Sequence, residues 1–157
     1  MHGEPVTADD ARSLTLRDAK LEDAPALARL MVQLGYDTSS SEMTARLRAI
    51  LPDRTYHTLV AVKDGAVVGM IGVGVALYYE RNGRYARILA LSVTDTARGN
   101  GIGSRLLRAA EEWARAAGAG SMIVNSGHQR TEAHAFYEHH GYRPTGIRFI
   151  KPLGDAA

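Results

Sequence analysis

The sequence predicts a single α+β domain, in which a mixed and mostly antiparallel β-sheet is flanked by about four helices. Three observations lead to this fold class. The chain has 157 residues, of which 45% are hydrophobic and 23% charged, as expected for one globular domain. Three long runs of β-forming residues follow one another in the middle of the chain. A glycine-rich loop then precedes an amphipathic helix, a short apolar strand and a further helix.

The first part of the chain contains a short strand and two helices. Residues 13–17 alternate between polar and apolar side chains, which predicts a strand. The first helix has apolar residues at helical spacing and ends at Gly35. The second helix begins at a capping box formed by Ser39 and Glu42 and ends at Pro52.

Three strands are predicted in series over residues 56–63, 66–79 and 84–93. Asp64 and Gly65 separate the first two, and an Asp-Gly pair between β-rich runs is a strong signal for a hairpin. These strands therefore form a meander, and the two early helices are inserted after the first strand.

The pattern changes in the second half of the chain. The sequence RGNGIG at residues 98–103 predicts a loop, and the helix that follows runs to about Ala117. A buried strand is predicted at residues 121–125 and another helix at residues 130–140. Residues 142–153 are predicted to form one bent strand or two short ones.

Composition excludes several classes of function. The chain has no cysteine, so it has no disulfide, no thiolate nucleophile and no zinc site that uses sulfur. Its formal charge is +2, from 19 basic and 17 acidic residues, which is too balanced for a dedicated nucleic-acid-binding protein. His139 and His140 are adjacent on a predicted helix and point apart, so we predict no metal site.

The N-terminal residues and the hydropathy of the chain predict a cytoplasmic protein. Residues 1–12 are polar and aperiodic, which predicts a flexible tail before a single domain over residues 13–157. No apolar run approaches the roughly 20 residues needed to cross a bilayer. Charged residues near the N-terminus interrupt any apolar region of a signal peptide. We therefore expect no membrane partner.

Three glycines in five residues, Gly99, Gly101 and Gly103, separate a predicted strand from a predicted helix. Glycine weakens both kinds of element, so this position needs a reason. Backbone N–H groups at a helix N-terminus carry partial positive charge and bind anions, and Arg98 adds a full charge. The loop predicts a site for phosphate or pyrophosphate, with a plain glycine-rich turn as the alternative. It matches neither the P-loop nor the dinucleotide-binding pattern.

Two motifs stand in order in the second half of the chain. The pattern R-x-x-G-x-G at residues 98–103 lies between a predicted strand and an amphipathic helix. The sequence AHAFYE at residues 133–138 is followed by Gly-Tyr at residues 141–142. Together they resemble the acetyl-CoA signature and the second motif of the GNAT superfamily of N-acetyltransferases. The order of predicted elements is also similar, so the resemblance covers roughly residues 13–153.

The resemblance implies that acetyl-CoA is the cosubstrate. In the family, the strand before the loop binds the pantetheine arm through its backbone, the loop amides bind the pyrophosphate, and the strands beside the site splay apart. The strand contacts would fall on Leu91, Ser92 and Val93. Arg130 stands where many members have asparagine, and it and Asn125 are further candidates for this site. The pyrophosphate contacts would fall on Arg98, Gly99, Asn100, Gly101, Ile102, Gly103 and Ser104.

Tyr137 matches the position at which many family members carry a general acid. Amine attack on a thioester expels a thiolate, and a phenol can hydrogen-bond to the departing sulfur and donate its proton late. Without the resemblance, a tyrosine on a helix face is assigned to the core. Residues 84–93 contain no carboxylate where many members place the general base. The base is therefore unassigned, and the candidates are Glu80, Asp37 and an ordered water chain.

The resemblance predicts transfer of an acetyl group from acetyl-CoA to a primary amine by direct attack in a ternary complex. The expected acceptor is a small-molecule amine or a protein lysine. The alternative is a catalytically weak acyl-CoA-binding or sensing module of the same fold. The oligomeric state stays open, although homodimers are common in the family. Six residues are implied to line the acceptor pocket: Tyr36, Asp37, Tyr79, Glu80, Ser126 and His128.

Overall fold

The computed structural model describes residues 14–125 and 131–154, so the predicted tail at residues 1–12 lies outside them. The chain divides into two compact units, Met1–Ile123 and Val124–Ala157. No helix among the described residues is long and apolar enough to cross a membrane. The strands are β1 (Leu14–Asp18), β2 (Tyr56–Lys63), β3 (Ala66–Leu77), β4 (Arg84–Val93) and β5 (Ala119–Val124). The helices are α1 (Ala24–Leu34), α2 (Ser40–Ile50), α3 (Ile102–Ala116) and α4 (Thr131–His139), with short 3-10 turns at Leu21–Asp23 and Asp95–Ala97.

The five strands form one mixed sheet in the order β1-β2-β3-β4-β5. The first four strands are antiparallel neighbours. Helix α3 connects β4 to β5, and such a crossover is the connection that parallel neighbouring strands require. The predicted fold class, a mostly antiparallel mixed sheet with about four helices, is confirmed.

Local signals in the sequence correctly predicted the turn between β2 and β3 and the start of α2. Asp64 and Gly65 both have positive φ, 52° and 79°, as a two-residue type I′ hairpin turn requires. In the capping box of α2, the Glu42 N–H donates to Ser39 Oγ at 3.1 Å and the Ser39 N–H donates to Glu42 Oε1 at 2.9 Å. Both predictions are confirmed because each depends on residues only a few positions apart.

The sheet is covered on both faces. Val60 and Met70 are paired neighbours on one face, and they pack with the apolar side chains of α1 and α2. Residues that alternate with them point to the opposite face, which packs against α3. There, a Cβ added to Gly69 would lie only 3.2 Å from Leu106 Cδ1. Helices α1 and α2 therefore cover one side of β3, and α3 covers the other side closely.

An ion pair joins β1 to the start of α1. Arg17 Nη1 and Nη2 each donate to the Asp23 carboxylate at 2.8 Å, and the Lys20 N–H donates to it at 2.8 Å. The hydrogen bond from Arg17 is the main reason that the pKa of Asp23 lies below its usual value, and it outweighs the opposing effect of burial. Asp23 is therefore ionised although only 8% of its side chain is exposed.

The strand predicted over residues 142–153 is wrong. All of these residues are described, and none of them belongs to a strand. Ile147, Phe149, Ile150 and Leu153 are 75–89% exposed, so their side chains form no buried face that would stabilise a strand. The segment also contains two prolines, which cannot donate to a ladder.

Candidate cofactor site at the end of strand β4

The glycine loop connects the end of β4 to the start of α3. Gly99 and Gly101 have positive φ, 84° and 76°, and no atom lies within 4 Å of where a Cβ would stand on either residue. Residues with side chains rarely adopt this conformation, so the path of the loop requires glycine. The loop therefore presents a bare backbone surface that a ligand can approach closely.

The first turn of α3 directs backbone donors at this loop. Gly101 is the N-cap residue, and its carbonyl accepts from the Arg105 N–H at 3.1 Å. The amides of Ile102 and Gly103 precede that bond, so they have no acceptor within the helix. These donors and the positive end of the helix dipole suit an anion such as a pyrophosphate.

Strand β4 contains a β-bulge a short distance before the loop. The pairing register shifts between Gly72 and Val73 of β3, which leaves Leu89 of β4 without a partner in β3. A bulge bends its strand and increases the local twist. The bulge thus separates the start of β4 from residues 91–93, the part assigned to the pantetheine arm.

The backbone groups of Leu91 and Val93 point away from β3. The Thr94 N–H donates to the Val68 carbonyl at 2.8 Å. Successive residues of a strand direct their backbone N–H and C=O groups to opposite neighbours, so this bond shows which residues at this end of β4 face β3. Ser92, two residues earlier, therefore also directs its N–H and C=O towards β3. Leu91 and Val93 direct theirs to the edge on which β5 lies. The Val93 carbonyl already accepts from Gln33 and Arg98, so a pantetheine arm can bind the Val93 N–H and the two backbone groups of Leu91.

Strand β5 meets β4 near the beginning of both strands. A Cβ on Gly120 would lie 3.9 Å from the Arg84 carbonyl oxygen, and Tyr78 Oη lies 2.7 Å from Ser121 Oγ. The contact between β4 and β5 is short compared with the ladders of the other strands. Divergence of the two strands from there towards the loop stays a prediction from the resemblance. A ligand can add to the edge of β4 in the manner of a strand.

Two side chains of the loop bind the backbone of the same region. Arg98 Nε donates to the Val93 carbonyl at 3.3 Å, and Arg98 Nη1 lies 3.0 Å from Asp95 Oδ1. Asn100 Nδ2 donates to the Ala97 carbonyl at 3.2 Å. The Arg98 guanidinium thus stays beside the loop, where it is about half exposed and where Asp95 offsets part of its charge.

Gln33, in the last turn of α1, binds the end of β4 from a distant part of the sequence. Its Nε2 donates to the Val93 carbonyl at 2.6 Å and to Ser92 Oγ at 3.2 Å. Its Oε1 accepts from the Asp95 N–H at 3.1 Å. Ser92 Oγ is buried and donates to the Leu30 carbonyl at 3.2 Å. Helix α1 is therefore bonded to the backbone on both sides of Thr94.

Tyr137, the predicted general acid, lies on α4 in the second unit. Its ring is half-buried and meets the rings of Phe136 and Tyr142 edge-on, with centroids 5.3 Å and 5.6 Å apart. The Tyr142 N–H donates to the Tyr137 carbonyl at 3.0 Å. Tyr137 thus belongs to an aromatic cluster within its own unit, and its role as an acid stays a prediction.

The other predicted site residues lie in several places. Tyr36 and Asp37 are exposed in the turn after α1, the helix whose last turn contacts the loop end of β4. Tyr79 and Glu80 are exposed in the turn between β3 and β4. That turn is at the other end of β4, about 30 Å away at the usual rise per residue. The structure therefore does not bring the two pairs together. Asn125 is exposed at the end of β5. Outside the described residues lie Ser126, His128 and Arg130.

Known proteins are similar to this chain in sequence and in fold. The profile of the Acetyltransferase (GNAT) family matches residues 24–142, which is more than half of the chain. The chain belongs to the GNAT family of acetyltransferases. Strand β4, the glycine loop and α3 therefore form the strand–loop–helix unit of a GNAT chain.

Relatives of this GNAT chain include curated acetyltransferases and solved structures. An aminoalkylphosphonate N-acetyltransferase of Salmonella typhimurium is 34% identical over 139 residues, which is 88% of this chain and 90% of the relative. The IAA acetyltransferase of Azospirillum brasilense is 31% identical over 136 residues, which is 87% of this chain and 84% of the relative. The crystal structure of a GNAT family acetyltransferase of Staphylococcus aureus has a TM-score of 0.77 at 28% identity, covering 90% of this chain and 99% of that one.

Two features of this GNAT site were not predicted from the sequence. One is the bulge at Leu89, for which Gly72 and Gly74 in β3 carried a signal, since a glycine inside a strand often marks a bulge. The other is Gln33, which lies 60 residues from Val93 in the sequence. Nothing local distinguishes it from any other glutamine near a helix end.

Proposed function

We propose that the protein transfers the acetyl group of acetyl-CoA to a primary amine by direct attack in a ternary complex. The observation that carries the proposal is the bare glycine loop at the N-terminus of α3, beside the outward backbone of Leu91 and Val93, in a GNAT chain. The loop amides suit the pyrophosphate, and the strand edge suits the pantetheine arm. Arg98 adds positive charge beside the loop.

The reaction forms a bond from the amine nitrogen to the acetyl carbon and breaks the thioester carbon–sulfur bond. The departing thiolate takes a proton, for which Tyr137 is the proposed donor. A phenol, with an ordinary pKa of about 10 against about 8.5 for a thiol, stabilises the sulfur by a hydrogen bond and releases its proton late. Asp37 or a water chain is proposed to accept the proton of the amine, because Glu80 lies at the far end of β4. Without cysteine, the chain cannot form an acetyl-cysteine intermediate.

The proposed acceptor is a molecule with a primary amine, and an aminoalkylphosphonate is the first candidate. This choice rests on the relative from Salmonella typhimurium, which carries that name and is 34% identical over 88% of this chain. A polyamine, an aminoglycoside, an amino acid and a protein lysine are the further candidates. The proposed acceptor contacts are Tyr36, Asp37, Ser126 and His128, and Asn125 and Arg130 are proposed for the cofactor. Tyr79 and Glu80 are not kept among them, because their turn lies at the other end of β4.

Release of free CoA from acetyl-CoA, measured with a thiol reagent for each of these amines, tests the proposal. The protein adds no thiol to the background because it has no cysteine. We expect one class of amine to release CoA and to become heavier by one acetyl group. Double-reciprocal plots of the initial rates, with both substrates varied, should give intersecting lines, as expected for a ternary complex. Binding of acetyl-CoA without turnover on any amine favours the sensing module instead. A protein that binds no acetyl-CoA contradicts both functions.

A pair of matched glycine variants tests the loop. Gly101→Glu places a carboxylate where the pyrophosphate is proposed to bind, and we expect it to abolish acetyl-CoA binding in calorimetry. Gly65→Glu is the control, because Gly65 has a similar φ of 79° and equally open surroundings but lies in the β2–β3 hairpin. Retained affinity in the Gly101 variant would remove the loop from the proposed site.

The proposed acid is tested by removing one hydroxyl group. Tyr137→Phe should lower turnover by about 100-fold, the lower end of what a positioned acid contributes, and should leave acetyl-CoA affinity nearly unchanged. Tyr56→Phe, on β2, removes the same group from a partly exposed tyrosine and serves as the control. Unchanged turnover in the Tyr137 variant eliminates the acid role.

A further inference from the structure

The side-chain amide of Gln33 links helix α1 to the stretch of backbone that leads from β4 into the glycine loop. We propose that Gln33 is a positioning residue for acetyl-CoA and acts through the backbone of Val93 and Asp95. In this role it holds the Val93 carbonyl and the Asp95 N–H in the arrangement that the pantetheine arm and the pyrophosphate require. This inference rests on the proposed function, because it assigns a further residue to the same site.

The contact to Val93 acts on the proposed pantetheine edge. The Val93 N–H and C=O point to that edge, and Gln33 Nε2 donates to the carbonyl at 2.6 Å. Arg98 Nε donates to the same carbonyl at 3.3 Å. Because its carbonyl accepts from both side chains, the peptide group between Val93 and Thr94 has a defined orientation. The Val93 N–H, which belongs to the preceding peptide group, is the group on this residue that is proposed to bind the ligand.

The contact to Asp95 acts on the loop. Gln33 Oε1 accepts from the Asp95 N–H at 3.1 Å, and Asp95 begins the 3-10 turn that leads into Arg98 and the two glycines with positive φ. Those glycines restrict the backbone little, so the direction of the loop depends on its two ends. Helix α3 holds one end, and the Gln33 amide is bonded to the other.

Only a primary amide can make this set of bonds with a single group. It has two donor hydrogens, used here for Val93 O and Ser92 Oγ, and an acceptor oxygen, used for the Asp95 N–H. Methionine has a similar length and helix propensity but none of these groups. Glutamate keeps the acceptor, loses both donors and brings a carboxylate oxygen against the Val93 carbonyl.

Calorimetric titration of the full chain with acetyl-CoA tests the role of Gln33. We expect Gln33→Met to weaken binding about tenfold, the change expected from losing roughly one well-formed hydrogen bond. Gln33→Glu at pH 8 should weaken it further. Arg29→Met, one turn earlier on the exposed face of α1, is the control and should bind like the wild type. Circular dichroism checks that each variant is folded at the assay temperature.

The affinity separates positioning from a merely structural role. A variant that only loses folded protein lowers the apparent kcat but leaves the Kd and KM for acetyl-CoA unchanged. Wild-type affinity in both Gln33 variants therefore overturns the inference and leaves the proposed function standing. If the wild type binds no acetyl-CoA, the proposed function fails and the inference fails with it.

Should the methionine variant not fold, the glutamate variant, which has the shape of glutamine, decides alone. If neither folds, rapid amide exchange at Asp95 in the wild type overturns the inference and slow exchange supports it.

Discussion

Replacing Asp23 with asparagine tests the ion pair that joins β1 to α1. The substitution keeps the shape of the side chain and removes its charge. Asp23 accepts three hydrogen bonds of 2.8 Å, two from Arg17 and one from the Lys20 N–H. Asparagine has a single acceptor oxygen, and its NH₂ group would face the guanidinium, so at least one bond to Arg17 is lost.

The magnitude follows from the burial of the two partners. A hydrogen bond to a charged group contributes about 1.5–3 kcal/mol, and the side chain of Asp23 is only 8% exposed. The side chain of Arg17 is 35% exposed, so water can bind its guanidinium in the variant and offset part of the lost stability. We expect the free energy of unfolding to fall by about 2 kcal/mol at pH 7, or about 4–8 °C in Tm for a chain of this size. Glu22→Gln, an exposed neighbour, is the control and should stay near the wild type.

The dependence on pH identifies the cause. Because the pKa of Asp23 is lower in the folded chain than in the unfolded one, its contribution is complete above the unfolded value of about 3.9. It is lost as the pH falls through the folded value. In urea unfolding, the difference between Asp23→Asn and the wild type should therefore be full at pH 7 and shrink below about pH 4. A difference of under about 0.5 kcal/mol at pH 7, or one that does not change with pH, refutes the assignment.

Two further substitutions test packing and capping. Gly69→Ala should lower stability by about 1–3 kcal/mol, because the new Cβ would lie 3.2 Å from both Leu106 Cδ1 and the Ser92 carbonyl oxygen. Thermal unfolding measures this change in stability. A rise in Tm would contradict the prediction, because it would mean that the neighbouring atoms move aside and that the lower entropy of the unfolded chain with alanine outweighs the contact. Ser39→Ala should cost about 1 kcal/mol by removing the cap that accepts from the Glu42 N–H, whereas Ser39→Asp should keep most of it. Equal urea midpoints for the two Ser39 variants would contradict this.

The elements with local signals were predicted closely. The bounds predicted for β2 and β4 are those of the structure, and the turn at Asp64 and the cap at Ser39 have the expected geometry. Each of these depends on backbone conformation or hydrogen bonds within a few residues. The segment at residues 142–153 shows the opposite case, because alternation of side chains does not make a strand without a neighbouring strand and a face to bury.

The sequence was enough to identify the family and the glycine loop between β4 and α3. Glycine adopts positive φ more readily than any other residue, and the spacing of Gly99 and Gly101 already indicates where the loop has this conformation. The packed structure was needed to show that Leu91 and Val93 direct backbone groups to the side on which β5 lies, and that Gln33 binds the end of β4. These facts depend on the pairing register with β3 and on a helix 60 residues away in the sequence, and both arise only when the sheet and α1 have packed together.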